Sequence, residues 1–176
     1  MLNIFYGCSF LNGIDENSEI SDNGGFERWT DGVPDNWKTA STAGNATLTQ
    51  STTAHGGNYS VQVGGSASAN KRIGYKEMKL SAGTYTVKFY AKALAAGGTL
   101  RPGVVSVSSD NKAGTYVYSD YVDNIRTGDW QLVEASLDVP AAGTYCFVVM
   151  NQKKDSAIDI LIDDFTVTLN GQSVIK

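Results

Sequence analysis

The stretch Tyr85-Thr86-Val87-Lys88-Phe89-Tyr90-Ala91-Lys92 alternates apolar and polar residues without a break. Successive side chains of a strand point to opposite faces. The spacing therefore puts Tyr85, Val87, Phe89 and Ala91 on one face and Thr86, Lys88, Tyr90 and Lys92 on the other. The same period of two recurs on both sides of this stretch: upstream in 45–50 and in Tyr59-Ser60-Val61-Gln62-Val63, downstream in 104–108, 131–139, 145–150 and 158–169. No window of helical length carries an apolar stripe at helical spacing, and the Ala-rich run 91–96 stops at Gly97-Gly98. About nine or ten short strands joined by tight turns predict an all-β chain, and the closeness of the turns favours a two-sheet antiparallel β-sandwich. Ala-Gly-Thr-Tyr occurs at 82–85, 113–116 and 142–145, but its flanks do not repeat. The shared unit is a turn that opens a strand, not a repeat architecture.

Composition narrows the function classes. The chain has 176 residues, 41% of them hydrophobic and 18% charged, which is a globular composition for one domain. Its 14 basic and 18 acidic residues give a net charge of −4 with no basic block. Phosphate neutralisation supplies most nucleic-acid affinity, so nucleic acid is excluded as a partner. The longest apolar run, Tyr145 to Met150, is far short of the ~20 residues of a membrane helix, so no transmembrane segment is expected. One histidine and two cysteines leave little for a transition-metal site or for histidine-based catalysis. Residues 1–21 read as an N-terminal arm or lead-in, and 22–176 as the domain. Cys8 follows a small residue, as in lipidated bacterial signals, but no basic residue precedes the short apolar stretch. Cys8 and Cys146 are either free thiols or one bridge.

Three segments stand out in order: Asn23-Gly24-Gly25-Phe26-Glu27-Arg28-Trp29 with Gly32-Val33-Pro34-Asp35-Asn36-Trp37; Ala54-His55-Gly56-Gly57-Asn58-Tyr59-Ser60-Val61-Gln62-Val63; and Ile160-Leu161-Ile162-Asp163-Asp164-Phe165-Thr166-Val167. With Leu80-Ser81-Ala82-Gly83-Thr84-Tyr85 between them, the set resembles the jelly-roll carbohydrate-binding modules of the galactose-binding-like superfamily, which are attached to xylanases and other polysaccharide-degrading enzymes. The resemblance covers about 23–169. It implies a jelly roll, a glycan partner (oligosaccharide or polysaccharide), appended domains, and a secreted or cell-surface location, periplasmic or lipid-anchored included.

Several residues are candidates for chemistry. A carboxylate beside Ile162 and Phe165 is costly to bury unless paired. If the first and last strands are neighbours, Glu27 and Asp163 come close and a hard cation is a natural partner. The resemblance implies a structural calcium there, held by Glu27, Asp163 and carbonyls of the turn at 55–58. The alternative is that both carboxylates accept backbone N–H bonds without a metal. His55 reads as a residue of that turn. Asp163 and Asp164, as strand neighbours, point to opposite faces and cannot flank one glycosidic bond, so no catalytic pair is expected and the chain is not read as an enzyme. Trp29 and Trp37 read as packing residues. For a polyhydroxyl ligand the candidates are Tyr90, Arg101, Tyr118, Tyr121 and Trp130, because rings stack while polar groups bond hydroxyls. The expected function is non-catalytic glycan binding. The alternative is a structural or protein-interaction sandwich of a cell-surface assembly without sugar affinity.

Overall fold

A computed structural model describes residues 22–38 and 44–176. It contains fourteen strands and, among the described residues, no helix. β1 (Trp29–Thr30) and β2 (Val33–Pro34) form a small ribbon. One sheet runs in the order β11 (Gln131–Val139), β8 (Gly83–Ala93), β13 (Ile160–Leu169), β5 (Ser60–Val63), β4 (Leu48–Ser51), with β14 (Gln172–Ile175) paired to β13. The other runs β10 (Ala113–Tyr118), β9 (Leu100–Val107), β12 (Gly143–Asn151), β6 (Lys71–Tyr75), β3 (Trp37–Lys38), with β7 (Met78–Leu80) paired to β12. We call them the β8 sheet and the β12 sheet. Every pairing is antiparallel. The expected all-β, two-sheet antiparallel jelly-roll sandwich is the fold observed.

The core lies between the sheets and follows the alternation. Tyr85, Val87, Phe89, Ala91 and Ala93 of β8 are buried, as are Val133, Leu137 and Val139 of β11. From the β12 sheet, Val104, Ile73, Tyr75, Tyr145, Phe147 and Val149 join the same cluster. Trp37 is the centre of an aromatic group. Its ring lies 4.7 Å from Phe26 and meets Tyr75 and Phe165 edge-on at 5.1 and 5.0 Å. This confirms the packing role for Trp37, while Trp29 is half-buried against the same cluster.

The opening motif is a turn that ties the sandwich shut. Asn23 sits at φ 52, a region that Asn tolerates, and its amide bonds the carbonyls of Arg28 and Asp35 while Arg28 N–H donates back to its Oδ1. Gly24 N–H donates to the Lys176 carbonyl, and the Gly24 carbonyl accepts from Phe165 N–H. A Cβ on Gly24 would fall 2.0 Å from the Phe165 carbonyl oxygen, so only glycine permits this approach.

β13 carries the irregularity that shapes the molecule. Ile162 faces the core opposite Ala91, and Asp163 faces outward opposite Tyr90. Strict alternation would then turn Asp164 into the core. Instead the register with β8 shifts between Asp163 and Thr166, Asp164 takes φ 49, and Phe165 occupies the inward position. This β-bulge spares the core a carboxylate. Cys146 is buried. Its expected alternative partner Cys8, and the arm 1–21, lie outside the described residues.

Candidate functional site

The outer face of the β12 sheet should be polar by alternation, yet it carries a second apolar cluster. Val105, Cys146 and Val148 are 0–1% exposed although they point away from the sandwich core. Packed against them are Val107, Ala113 and two tyrosines, Tyr116 and Tyr118. Tyr116 lies opposite Val105, and Tyr118 lies opposite Gly103. Their rings are parallel, with centroids 5.4 Å apart. Tyr118 lies low across Gly103: a Cβ there would fall 2.4 Å from the ring's Cδ1. The glycine thus makes the hollow in which the ring rests. Burial of Tyr116 against this cluster raises its phenol above the usual value, with Arg72 acting in the opposite sense.

Two arginines complete the face. Arg72 pairs across β12 through Met150 to Arg101, so the three form one row over three neighbouring strands. At strand spacing, the Arg72 and Arg101 backbones stand about 10 Å apart. The Arg72 guanidinium lies 5.0 Å from the Tyr116 ring centre, and its Nε donates to the Tyr118 hydroxyl at 2.7 Å. The Arg101 guanidinium lies 5.0 Å from the Tyr118 ring and 4.4 Å from that of Tyr121, and its Nε donates to the Ser119 carbonyl. Tyr121 is exposed, and beside it a cleft of about 470 Å³ runs between Tyr118–Val122 and Glu134–Ser136 of β11. The face thus presents rings, guanidinium N–H groups and an adjoining hollow lined by hydroxyls and carboxylates. That is the kit for binding a flat polar molecule without changing it.

The sequence candidates divide between the two sheets. Arg101, Tyr118 and Tyr121 come together here. Tyr90 and Trp130 do not: they lie on the outer face of the β8 sheet. Tyr90 points out as its alternation requires, but His55 stacks on it with centroids 3.4 Å apart and planes at 13°, and Trp130 meets His55 edge-on at 5.9 Å. The imidazole occupies a ring face that a sugar would need, so this aromatic group fastens a turn to the sheet. Arg72 was not among the sequence candidates. The pattern Lys71-Arg72-Ile73-Gly74-Tyr75 did carry the signal, because Ile73 and Tyr75 are buried and Arg72 shares the opposite face with Gly74.

The second group of interest surrounds that turn. Asp163 is 0% exposed because the turn 55–58 covers it, not because it lies in the core. Its Oδ2 accepts from His55 and Gly56 N–H at 2.7 and 3.2 Å, and its Oδ1 from Asp164 N–H at 2.8 Å. Burial pushes its carboxyl up to about 6 against the pull of these three bonds. Glu27 Oε1 accepts from Asn58 and Tyr59 N–H at 2.8 and 2.9 Å, and Oε2 from the Asn58 amide at 3.2 Å. Burial alone would raise Glu27, but these bonds outweigh it and hold the carboxyl below the usual range. Asp164 reaches the same turn and bonds His55 Nδ1 at 2.6 Å. The two aspartates were expected on opposite faces; the bulge overturns that, and both carboxylates end at His55. They are spent on one turn and are not arranged across a cleft.

These carboxylates meet part of what a hard cation needs. A carboxylate oxygen can accept twice, so Glu27 Oε2 and Asp163 Oδ1, with one bond each, keep capacity. The groups turned toward them are N–H donors, and among the described residues no three His, Cys, Asp or Glu side chains form a cation cluster. A calcium ion there would need backbone carbonyls to complete its shell.

Comparison with known proteins shows the family and supports the fold. A family profile described as "Carbohydrate binding domain" matches residues 18–157. No curated protein matches the chain significantly. Among solved structures, the CBM22-1 xylan-binding domain of Paenibacillus barcinonensis Xyn10C superposes with a TM-score of 0.62 at 15% identity, over 83% of this chain and 91% of that one. The C-terminal family 22 carbohydrate-binding module of Clostridium thermocellum Xyn10B gives 0.60 at 18% identity, over 85% and 98%. The TmCBM61 structure, solved with β-1,4-galactotriose, gives 0.56 at 21% identity, over 84% and 96%. At these identities the structural matches speak for the fold.

Proposed function

Because the chain belongs to the carbohydrate-binding domain family, we propose that it holds a soluble oligosaccharide or polysaccharide on the outer face of the β12 sheet and does not cleave it. The observation that supports this most is the Tyr116–Tyr118 pair laid on an apolar floor outside the core, with Arg72 and Arg101 upon it. Tyr121 and the adjoining cleft extend this face. The chain's place is a secreted or cell-surface polysaccharide-processing system, appended to other domains. In the neighbours, xylan and a β-1,4-galactan fragment are the sugars named, so xylan- and galactan-derived chains head the trial set.

Open sheet faces bury little of a sugar, and hydroxyls exchange water bonds for protein bonds of similar strength. The expected affinity is about micromolar to millimolar, roughly −8 to −4 kcal/mol. Calorimetric titration against a panel of neutral and acidic glycans, with a reducing-sugar assay on the same mixtures, tests the reading. Binding without released ends is the expected result. Silence across the panel from folded protein would leave the structural-module reading instead.

We also propose calcium as a stabilising ion held by Glu27 and Asp163 with carbonyls of the turn 55–58. The support is the convergence of these carboxylates, with Asp164 beside them, on one turn whose only cation-forming side chain is His55. At several hundred times its dissociation constant the ion would add about 3–4 kcal/mol by linkage. Melting curves with calcium and with a chelator should differ by several degrees. Superimposable curves would remove calcium from the account.

A further inference from the structure

We infer that the glycan held on the β12 sheet is an acidic one, a polysaccharide carrying uronate carboxylates, and that Arg72 and Arg101 are the groups that recognise the charge. This rests on the glycan-binding reading of that face.

The first ground is what the arginines do not do. Ion pairs join Arg28 to Asp35, Lys88 to Glu134 and Lys112 to Asp110, and His55 contacts Asp164. None involves Arg72 or Arg101, in a chain where acids outnumber bases by 18 to 14. Each uses its Nε for one neutral acceptor, the Tyr118 hydroxyl or the Ser119 carbonyl. Those bonds fix the side chain and leave the terminal NH₂ groups as a fork. Such a fork matches two carboxylate oxygens at once.

The second ground is where the guanidiniums sit. A neutral pyranose binds best to an open ring face. Here Arg72 lies over Tyr116, and Arg101 lies over both Tyr118 and Tyr121. An arriving ligand therefore meets guanidinium as well as ring. The apolar floor of Val105, Cys146 and Val148 lowers the local polarity, which strengthens a charge pair made above it. The third ground is spacing. The two arginines occupy one row across three strands, about 10 Å apart at the backbone, so a chain crossing the strands can offer carboxylates to both. Of the carboxylates that line the neighbouring cleft, Glu134 is paired with Lys88, and Asp120 lies on the Tyr121 side.

The test uses matched polymers that differ only in charge. Glucuronoxylan, polygalacturonate and alginate are each compared with their carboxyl-reduced forms, in which every uronate becomes a neutral hexose. Neutral xylan, β-glucan and galactan complete the set. Affinity is read by calorimetry and by retardation in gels containing the polymer, at 20 and 300 mM salt. At least one acidic polymer should bind about tenfold or more tightly than its reduced form, with the difference shrinking at high salt because exposed charge pairs are screened. Arg72→Gln and Arg101→Gln should each erase most of that difference while leaving the melting temperature within a few degrees. Equal binding of acidic and reduced forms, or binding confined to neutral glycans, overturns the acidic-ligand inference and leaves glycan binding intact. No binding by any polymer overturns glycan binding itself.

Discussion

Replacing Asp163 by alanine is expected to lower stability by about 3–5 kcal/mol, which is roughly 10 °C in a domain of this size. The loss comes from three N–H groups, of His55, Gly56 and Asp164, that would be left under the turn without an acceptor. Each buried donor left unmade costs about 1–3 kcal/mol. Relief of the desolvation that lifts this carboxyl to about 6 returns part of that sum, which is why the low end of the range is expected. Asp163→Asn keeps one accepting oxygen and should cost about half as much. Both variants are best melted in chelator, so that the hydrogen bonds alone are read. An Asp163→Ala protein within 1 kcal/mol of the parent would mean that the turn refolds around water and that the carboxylate does not organise it.

Gly103→Val is expected to weaken glycan binding by about ten- to a hundredfold, 1.4–2.8 kcal/mol, with a much smaller effect on melting. Valine suits a strand interior better than glycine, so the backbone gains. The new Cβ, however, lands 2.4 Å from Cδ1 and 2.7 Å from Cε1 of Tyr118, on the body of the ring and not on a flexible tip. The ring must lift off the floor. It then loses its place under Arg101 and its hydroxyl leaves Arg72 Nε. The substitution thus dismantles the face from beneath, without removing any group that would touch a sugar. Unchanged affinity in Gly103→Val would show that the ligand does not use the Tyr118 platform.

The fold was legible because one physical signal, the period of two, ran through most of the chain. β8 was read with its faces correct. The short strands were not read. β1, β2 and β3 have two residues each and β7 has three, too few for a period to show. Expected ends also shifted: the strand expected at 104–108 begins at Leu100, because Pro102, which has no N–H, still offers a carbonyl that Ser119 uses.

The site was half legible. Of the residues brought together on the β12 sheet, Tyr118 and Tyr121 were candidates because tyrosines and acids crowd 116–123, and Arg101 because it stands at a strand start. Tyr90 and Trp130 were candidates on the other sheet, and a strand's parity cannot say which sheet it joins. Arg72 was missed because Tyr118, whose hydroxyl it bonds, is 46 residues away, with two strands between them in the sheet. The paired outcome of Asp163 and Asp164 was hidden as well. A bulge inserts one residue into the count, and only its consequence, a carboxylate kept out of the core, explains why it is there.

The central claim is that a sugar binds the outer face of the β12 sheet and not the aromatic group on the β8 sheet. Amide chemical-shift mapping during titration with the tightest-binding oligosaccharide tests it most directly. The predicted result is a set of shifts confined to Arg72, Arg101, Gly103, Tyr116, Tyr118 and Tyr121 and their strand neighbours, with His55, Tyr90 and Trp130 silent. Shifts centred on His55, Tyr90 and Trp130, with Arg101 and Tyr118 unmoved, would contradict it.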